Sequence, residues 1–558
     1  MDAREGLKRS FDKLGTNGNV LVSFALSLSN HLPRKAEVPI HGFPRNRAPG
    51  TRLQRNSRAP LAGAFSVLAA LTLVSSAHAV DWLFEPRVGA FTTYTDNVNQ
   101  SSVNEESAFI LGASPGFTLR TKGSRRVEAT IDYSLTGVVR SAGDDDSDLF
   151  HNLNAAGTAE LAEDFFFIDA GARVSQELIS VLGSQADAVV NTSNRTTTGS
   201  FDISPYIKQR FSTFADLEAR YTLYGSLFDE DVATDLLTNQ FDVTLDSGTR
   251  FNDLNWGLGY TYRDVSARDT NTLSDSYVYQ RADLTLGYAL TRKFRLIGSL
   301  GQERLDFEVL NENDFDDTVW SAGFSWAPSR RTSIEATAGQ RFYGDTYSLL
   351  GRYRTRTSAW TASYVEDISD ISRTQLTQTN LYLFLCPGAA PTDPAQFVFS
   401  QFPVLPAPGC QFLGVQPSLI PSIAEGLYVS KTFRAGVNWG VKKVTYSIDA
   451  SDVRRIYLLQ DEAEDRSQNI SATVNYRMTP LTSMFGNLGL SWTEDAGTLS
   501  GLGFDREDEL FSFTLGLNHR FAADLTGALT FRHFQRDSND PTAEYTENNI
   551  TASANMSF

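Results

Sequence analysis

The last nine residues of the chain, Ile550-Thr551-Ala552-Ser553-Ala554-Asn555-Met556-Ser557-Phe558, alternate without a break between apolar and polar side chains. Successive side chains on a strand point to opposite faces, so such a segment has one oily surface and one wet one. The same period of two recurs from Phe84 onward. Val127, Ala129, Ile131, Tyr133, Leu135 and Val139 oppose Glu128, Thr130, Asp132, Ser134, Thr136 and Arg140. Leu217, Ala219, Tyr221 and Leu223 oppose Glu218, Arg220 and Thr222, and Leu254, Trp256, Leu258, Tyr260 and Tyr262 oppose Asn255, Gly257, Thr261 and Arg263. Val444 to Ser451 and Asn469 to Met478 repeat the pattern. The runs are on the scale of the ~9–11 residues that a tilted strand needs to cross a bilayer.

A soluble chain of 558 residues would split into several domains. A hydrophobic content of 41%, 40 Gly and a mean hydropathy of -0.25 suit a transmembrane barrel instead, because its lipid-facing residues are diluted one for one by lumen-facing polar ones. The connectors fall into two sets that take turns. One is tight and basic, as in Lys122 to Arg126, Lys208 to Arg210, Arg292 to Arg295, Arg330-Arg331, Arg354 to Arg356 and Lys442-Lys443. The other is longer and acidic, as in Asp144 to Asp148, Asp229 to Asp231, Glu312 to Asp317, Asp461 to Asp465 and Asp505 to Glu509. Short turns inside and longer loops outside are the barrel rule. The expectation is an all-β chain: a transmembrane, antiparallel, up-and-down β-barrel of about 22 strands, within a range of 18–22, with both termini periplasmic.

Residues 61–79 read as a secretory signal, with Arg52, Arg55 and Arg58 as the basic flank, an apolar core from Leu61 to Val74, and Ala77-His78-Ala79 as the cleavage site. A membrane anchor is the competing reading, but the apolar core falls short of the roughly 20 residues a spanning helix needs. Residues 1–60 then form a non-structural leader or a mis-assigned start, and residues 80–558 the barrel, with Trp82 so soon after cleavage that no plug domain is expected. The formal net charge is -17 before this largely basic segment is removed. That sign excludes nucleic acid as a partner.

Residues 370–426 break the rhythm. This segment is rich in proline between Pro387 and Pro421 and nearly free of charge. Proline excludes central-strand pairing, so the segment reads as a long extracellular loop. Cys386 and Cys410 are the only two cysteines and both lie in it. In an exported protein a lone nearby pair reads as a disulfide; a metal site is the weaker alternative. The loop either constricts the lumen, offers an apolar surface to a partner, or packs only on itself.

Tyr288, Phe324 with Trp326, Tyr476, and Phe513 with Phe521 precede the inferred periplasmic turns. They read as a membrane-interface girdle, or as core aromatics if the chain were a soluble β-protein. The alternating strand that ends in Met556 and Phe558 resembles the closing strand of bacterial outer-membrane barrels, which implies a signal read by the barrel-assembly machinery. Trp82-Leu83-Phe84-Glu85-Pro86, then Tyr94 to Val98, Ser114-Pro115-Gly116, Gly339 to Tyr347, Arg354 to Trp360 and Tyr364 to Asp367 resemble a family of outer-membrane barrels that accompanies PEP-CTERM/exosortase and exopolysaccharide gene systems, the beta-barrel porin type 2 group. The resemblance implies an outer-membrane location and a link to polysaccharide-export components. It supplies no catalytic residue.

Beyond the cleavage site only His151, His519 and His533 are available for acid–base chemistry, and none sits in a nucleophile motif. A barrel-embedded hydrolase is therefore the third-ranked reading. Asp144 to Asp148 lacks the glycine and terminal glutamate of a calcium loop, and the acidic loops read as solvated or as sharing divalent ions with lipopolysaccharide. No cofactor is expected. On the inferred lumen face Arg140, Arg220, Arg263, Arg341 and Arg477 mix with Glu128, Asp132, Glu218, Glu335 and Asp449. Such charges either satisfy one another or select solutes in a water-filled pore. A barrel of this width is too wide for wall side chains alone to close. The leading expectation is a porin-like passive channel, with a non-conducting docking barrel as the alternative.

Overall fold

Because the alternation fixes which side chains face lipid, the backbone of each run has only its neighbours to bond with, and the runs close on one another. The computed structural model describes residues 80–558 apart from positions 104, 144–146, 181–182, 184–189, 191–193, 229–232, 268–275, 308–314, 371–380, 387–395, 401–410, 417–425, 459–462 and 496–504, and gives the backbone alone for 381–386, 396–400 and 411–416. The first strands are β1 (Asp81–Thr95), β2 (Ala108–Lys122), β3 (Val127–Arg140), β4 (Ser147–Ala162), β5 (Phe166–Leu178), β6 (Arg195–Phe211), β7 (Ala215–Phe228) and β8 (Leu236–Ser247). Next come β9 (Leu254–Ala267), β10 (Tyr277–Thr291), β11 (Phe294–Phe307), β12 (Phe315–Ser329), β13 (Thr332–Arg341), β14 (Gly344–Arg354) and β15 (Ser358–Ser369). Three short strands follow, β16 (Leu381–Cys386), β17 (Gln396–Ser400) and β18 (Gln411–Gln416). The wall resumes with β19 (Tyr428–Val441), β20 (Val444–Tyr457), β21 (Glu464–Arg477), β22 (Thr482–Asp495), β23 (Arg506–Arg520), β24 (Leu525–Ser538) and β25 (Tyr545–Ser557).

All but β16–β18 form one 22-stranded antiparallel sheet in which sequence neighbours pair and β25 pairs with β1. The result is a closed up-and-down barrel, the arrangement in which no wall strand is left with an open edge. With an even strand count, β1 starts and β25 ends at the same rim, the one carrying the tight turns. The exterior carries the apolar set: Leu111, Leu149, Leu258, Leu300, Leu488, Leu529 and Ile550 are all exposed. Of the girdle aromatics, Tyr288, Phe324, Trp326, Tyr476 and Phe521 are exposed on that surface near the tight-turn rim. Inside, space is tight in places. The rings of Phe91 and Phe485 lie across Gly112 and Gly516, where any added Cβ would strike them.

Two features depart from expectation. The segment read as a long extracellular loop contains β16–β18, which form their own antiparallel sheet in the order β17-β16-β18. Its prolines fall between these strands and none within them, so the ladder survives. The side chains of Cys386 and Cys410, and with them the proposed disulfide, lie outside the described residues. Second, the long-loop rim is not uniformly long-looped. β13 and β14 are joined through Phe342-Tyr343 alone, and Gly344 takes the left-handed turn conformation at φ 110°.

The seam has unequal sides. β1 pairs with β2 along its whole length, from Asp81 to Thr95, but with β25 only from Arg87 to Thr95. Below Arg87 the terminal Phe558 amide donates to the Pro86 carbonyl at 2.9 Å.

Candidate functional site

The ten residues expected on the lumen face all lie opposite the exposed apolar side chains, as parity along each strand requires. The structure then sorts them. Arg87 on β1 grips Asp132 through both terminal nitrogens at 2.5 and 2.7 Å, with the Thr118 hydroxyl donating at 2.7 Å. Arg140 is held by Asp148 at 2.5 Å and donates to the Val190 carbonyl at 3.0 Å. Arg220 donates to Asp169 at 2.8 Å and Glu218 at 3.2 Å, and its guanidinium stacks 3.7 Å from the Tyr206 ring. Glu218 also meets Lys208 at 3.5 Å. Arg263 forks onto the Gln240 carbonyl at 2.8 and 3.0 Å. Asp449 accepts from Ser447. Glu128, Glu335 and Arg477 have no ion pair among the described residues.

Arg341 sits at the centre of a buried network. It pairs with Glu303, bonds Asp367 at 3.1 Å, and reaches the Tyr279 hydroxyl at 3.3 Å, while that hydroxyl donates to Glu303 at 2.5 Å. Glu303 is 0% exposed. Its strand, β11, is two away from β13 in the wall, yet the two touch. The β13–β14 hairpin therefore leans across the inward face of β12. Phe342 packs at a tilt of 30° against Phe315, 4.8 Å between centroids, and meets Tyr343 edge-on. Both rings pack against a buried apolar cluster of Leu236, Val265, Tyr277, Leu305, Phe307, Ile368 and Leu427. That cluster joins β8–β11 to β15 and to the residue before β19, wall positions that are not neighbours, so it narrows the long-loop mouth.

A second inward device lies at the same rim. Val190, between β5 and β6, packs with Val98, Ile110, Val138 and Phe150. Gly183 in the same connection accepts from Arg536 on β24 at 2.6 Å. Arg536 is also paired with Asp508, which Arg506 meets at 3.1 Å. In the adjoining turn Asp540 accepts from the Thr542 hydroxyl and amide, and those bonds hold its carboxyl below the usual carboxylate range.

Sequence reasoning missed Arg87, Glu303, Asp367 and Asp169 as partners. Parity places each of them inward, but only the register between strands says which charge meets which.

The three histidines face the other way. His151 is bonded to the Tyr133 hydroxyl at 2.9 Å, His519 to Thr482 at 2.9 Å, and His533 to Asn548 at 2.8 Å, all on the exterior parity of their strands. Among the described residues no group of three His, Cys, Asp or Glu side chains is placed to hold a metal ion.

No family model matches the chain, and no curated protein sequence does. Among solved structures the chain is similar to the apoprotein form of the FrpB iron transporter from Neisseria meningitidis, with a TM-score of 0.49 and 12% identity over 85% of this chain and 81% of that one. It is also similar to the siderophore receptor PirA from Acinetobacter baumannii, with a TM-score of 0.48 and 8% identity over 86% and 81%. PirA from Pseudomonas aeruginosa gives a TM-score of 0.42 and 10% identity over 85% and 80%.

Proposed function

We propose that the protein is exported on the signal at residues 61–79, inserted in the outer membrane, and acts there as a passive, porin-like channel narrowed from within at its outer mouth. The observation that carries this reading is the inward face. It is polar and charged, Glu128, Glu335, Arg352 and Arg434 are exposed on it, and even the inward Leu350 is 44% exposed. A ring of 22 strands leaves an interior that wall side chains alone do not fill. Met556, half-buried, and Phe558, exposed, at the closing strand are the residues offered to the barrel-assembly machinery. Outward ion pairs above the apolar band, Arg466–Asp452 at 2.7 Å and Arg454–Glu464 at 2.8 Å, suit the headgroup level of lipopolysaccharide. The motifs that resemble exosortase-linked barrels direct the channel toward a polysaccharide surface pathway.

Purified protein in planar bilayers should give discrete conductance steps, and liposomes containing it should swell in small sugars. A barrel that never conducts, even after deletion of residues 371–425, overturns the channel. The second reading, a docking barrel that recruits polysaccharide-export components, is favoured by one observation: β16–β18 form a sheet of their own in the charge-poor segment. Under that reading the same deletion abolishes partner pull-down and leaves conductance unchanged.

A further inference from the structure

Several inward arginines are bound to carboxylates, as in Arg140–Asp148, Arg341–Glu303, Arg455–Asp465 and Arg536–Asp508 toward the long-loop rim, and Arg87–Asp132 and Arg220–Asp169 further along the wall. Those on the inward face of β14–β23 nearer the tight-turn rim, Arg352, Arg354, Arg434, Arg477 and Arg520, have no ion pair among the described residues. Register gives two of them their neighbours. Arg352 stands between Ser333 on β13 and Thr361 on β15. Arg434 stands between Ser363 on β15 and Ser451 on β20. Each guanidinium is flanked on both neighbouring strands by hydroxyls, with the inward carboxylates Glu335 and Asp449 one two-residue step beyond Ser333 and Ser451, and both arginines are exposed to the lumen. Two strand spacings and one two-residue step separate them, about 12 Å along the wall.

Across the lumen the sign reverses. Glu128 on β3, Asp202 on β6, and Asp242 and Asp246 on β8 face inward with no ion pair among the described residues. In a ring of 22 strands the wall strand opposite β7 is β21. The acidic sector and the arginine sector therefore confront one another. Opposed charges on low-dielectric walls set up a field across the aqueous space, which drives an anion onto one wall and keeps it off the other.

We propose that the Arg352–Arg434 strip is a binding site for anionic, hydroxyl-rich solutes, the chemistry of an acidic saccharide. The guanidinium forks take carboxylate or phosphate, and Ser333, Thr361, Ser363 and Ser451 take hydroxyls. This rests on the channel reading for its role in transport, but the site itself is testable without conductance.

Full-length protein in bilayers is titrated with trigalacturonate and, separately, with uncharged maltotriose, and current block is read for wild type and for the double variant Arg352→Gln/Arg434→Gln. Titration calorimetry in detergent with the same two sugars reads binding directly. Trigalacturonate should block and bind wild type at least about tenfold more tightly than maltotriose, the scale expected for loss of charge-assisted bonds. The double variant should lose that preference while keeping its heat-modifiable gel mobility, which shows that it is folded. Equal block and equal binding for the two sugars, or an unaltered preference in the folded double variant, overturns the strip and leaves the channel standing. Selective binding in detergent from a barrel that never conducts overturns the channel and leaves the strip.

Discussion

Glu303 has no contact with solvent, and its charge is tolerable because Arg341 and the Tyr279 hydroxyl reach it. Taking away one member of such a pair leaves the other buried and unanswered, at a cost of about 3–5 kcal/mol, whereas removing both costs less. Arg341→Met alone should therefore destabilise the mouth by that amount, and Arg341→Met/Glu303→Leu should recover much of it. Urea unfolding of the four proteins of the double-mutant cycle checks this, and additive losses would mean that the two charges do not depend on each other. The inward position of Arg341 was readable from parity. Its partner was not, because Glu303 is two strands away and comes within reach only through the lean of a hairpin. Asp132 shows the same limit: its face was legible, but its ligand Arg87 stands on β1, two strands from β3 in the ring.

At the scale of elements, the β13–β14 hairpin sets the outer mouth. Its ladder to β12 ends at Trp320 and Gln340, and its ladder to β15 ends at Leu349 and Tyr364, so the tip extends beyond both ladders and can fold inward. Phe342 and Tyr343 then serve as the apolar hold on the cluster around Leu305. Replacing Phe342-Tyr343 with Asn-Gly keeps a two-residue turn of favourable type but removes both rings. The expected outcome is a larger unit conductance with unchanged barrel content by circular dichroism; unchanged conductance would show that the tip does not restrict flow. The sequence concealed this element because the residues between Arg341 and Gly344 carry neither the acidic run of an outer loop nor the basic run of an inner turn. The strands β16–β18 were hidden for another reason. Proline density argues against strands on average, and here the prolines fall between the strands, leaving each ladder intact.

For the whole molecule, strand number, antiparallel order and the lipid face were legible because one period of two, repeated from end to end, leaves a closed ring as its only complete solution. What the period does not encode is closure itself, the junction of β1 with β25. Every other junction in the wall is made by strands that a connecting segment keeps together; this one is made by strands nearly the full chain apart. Loop-closure entropy makes such a contact the last to form and the first to release. A disulfide between Ala90→Cys and Ala554→Cys, opposite each other across the junction, should raise the temperature of the heat-induced gel shift. The same bond between Ala322→Cys and Ala338→Cys inside the wall should raise it less. The cylinder thus behaves as a zip with a single slider, and the overhang of Asp81–Pro86 marks where the teeth supplied by β25 run out.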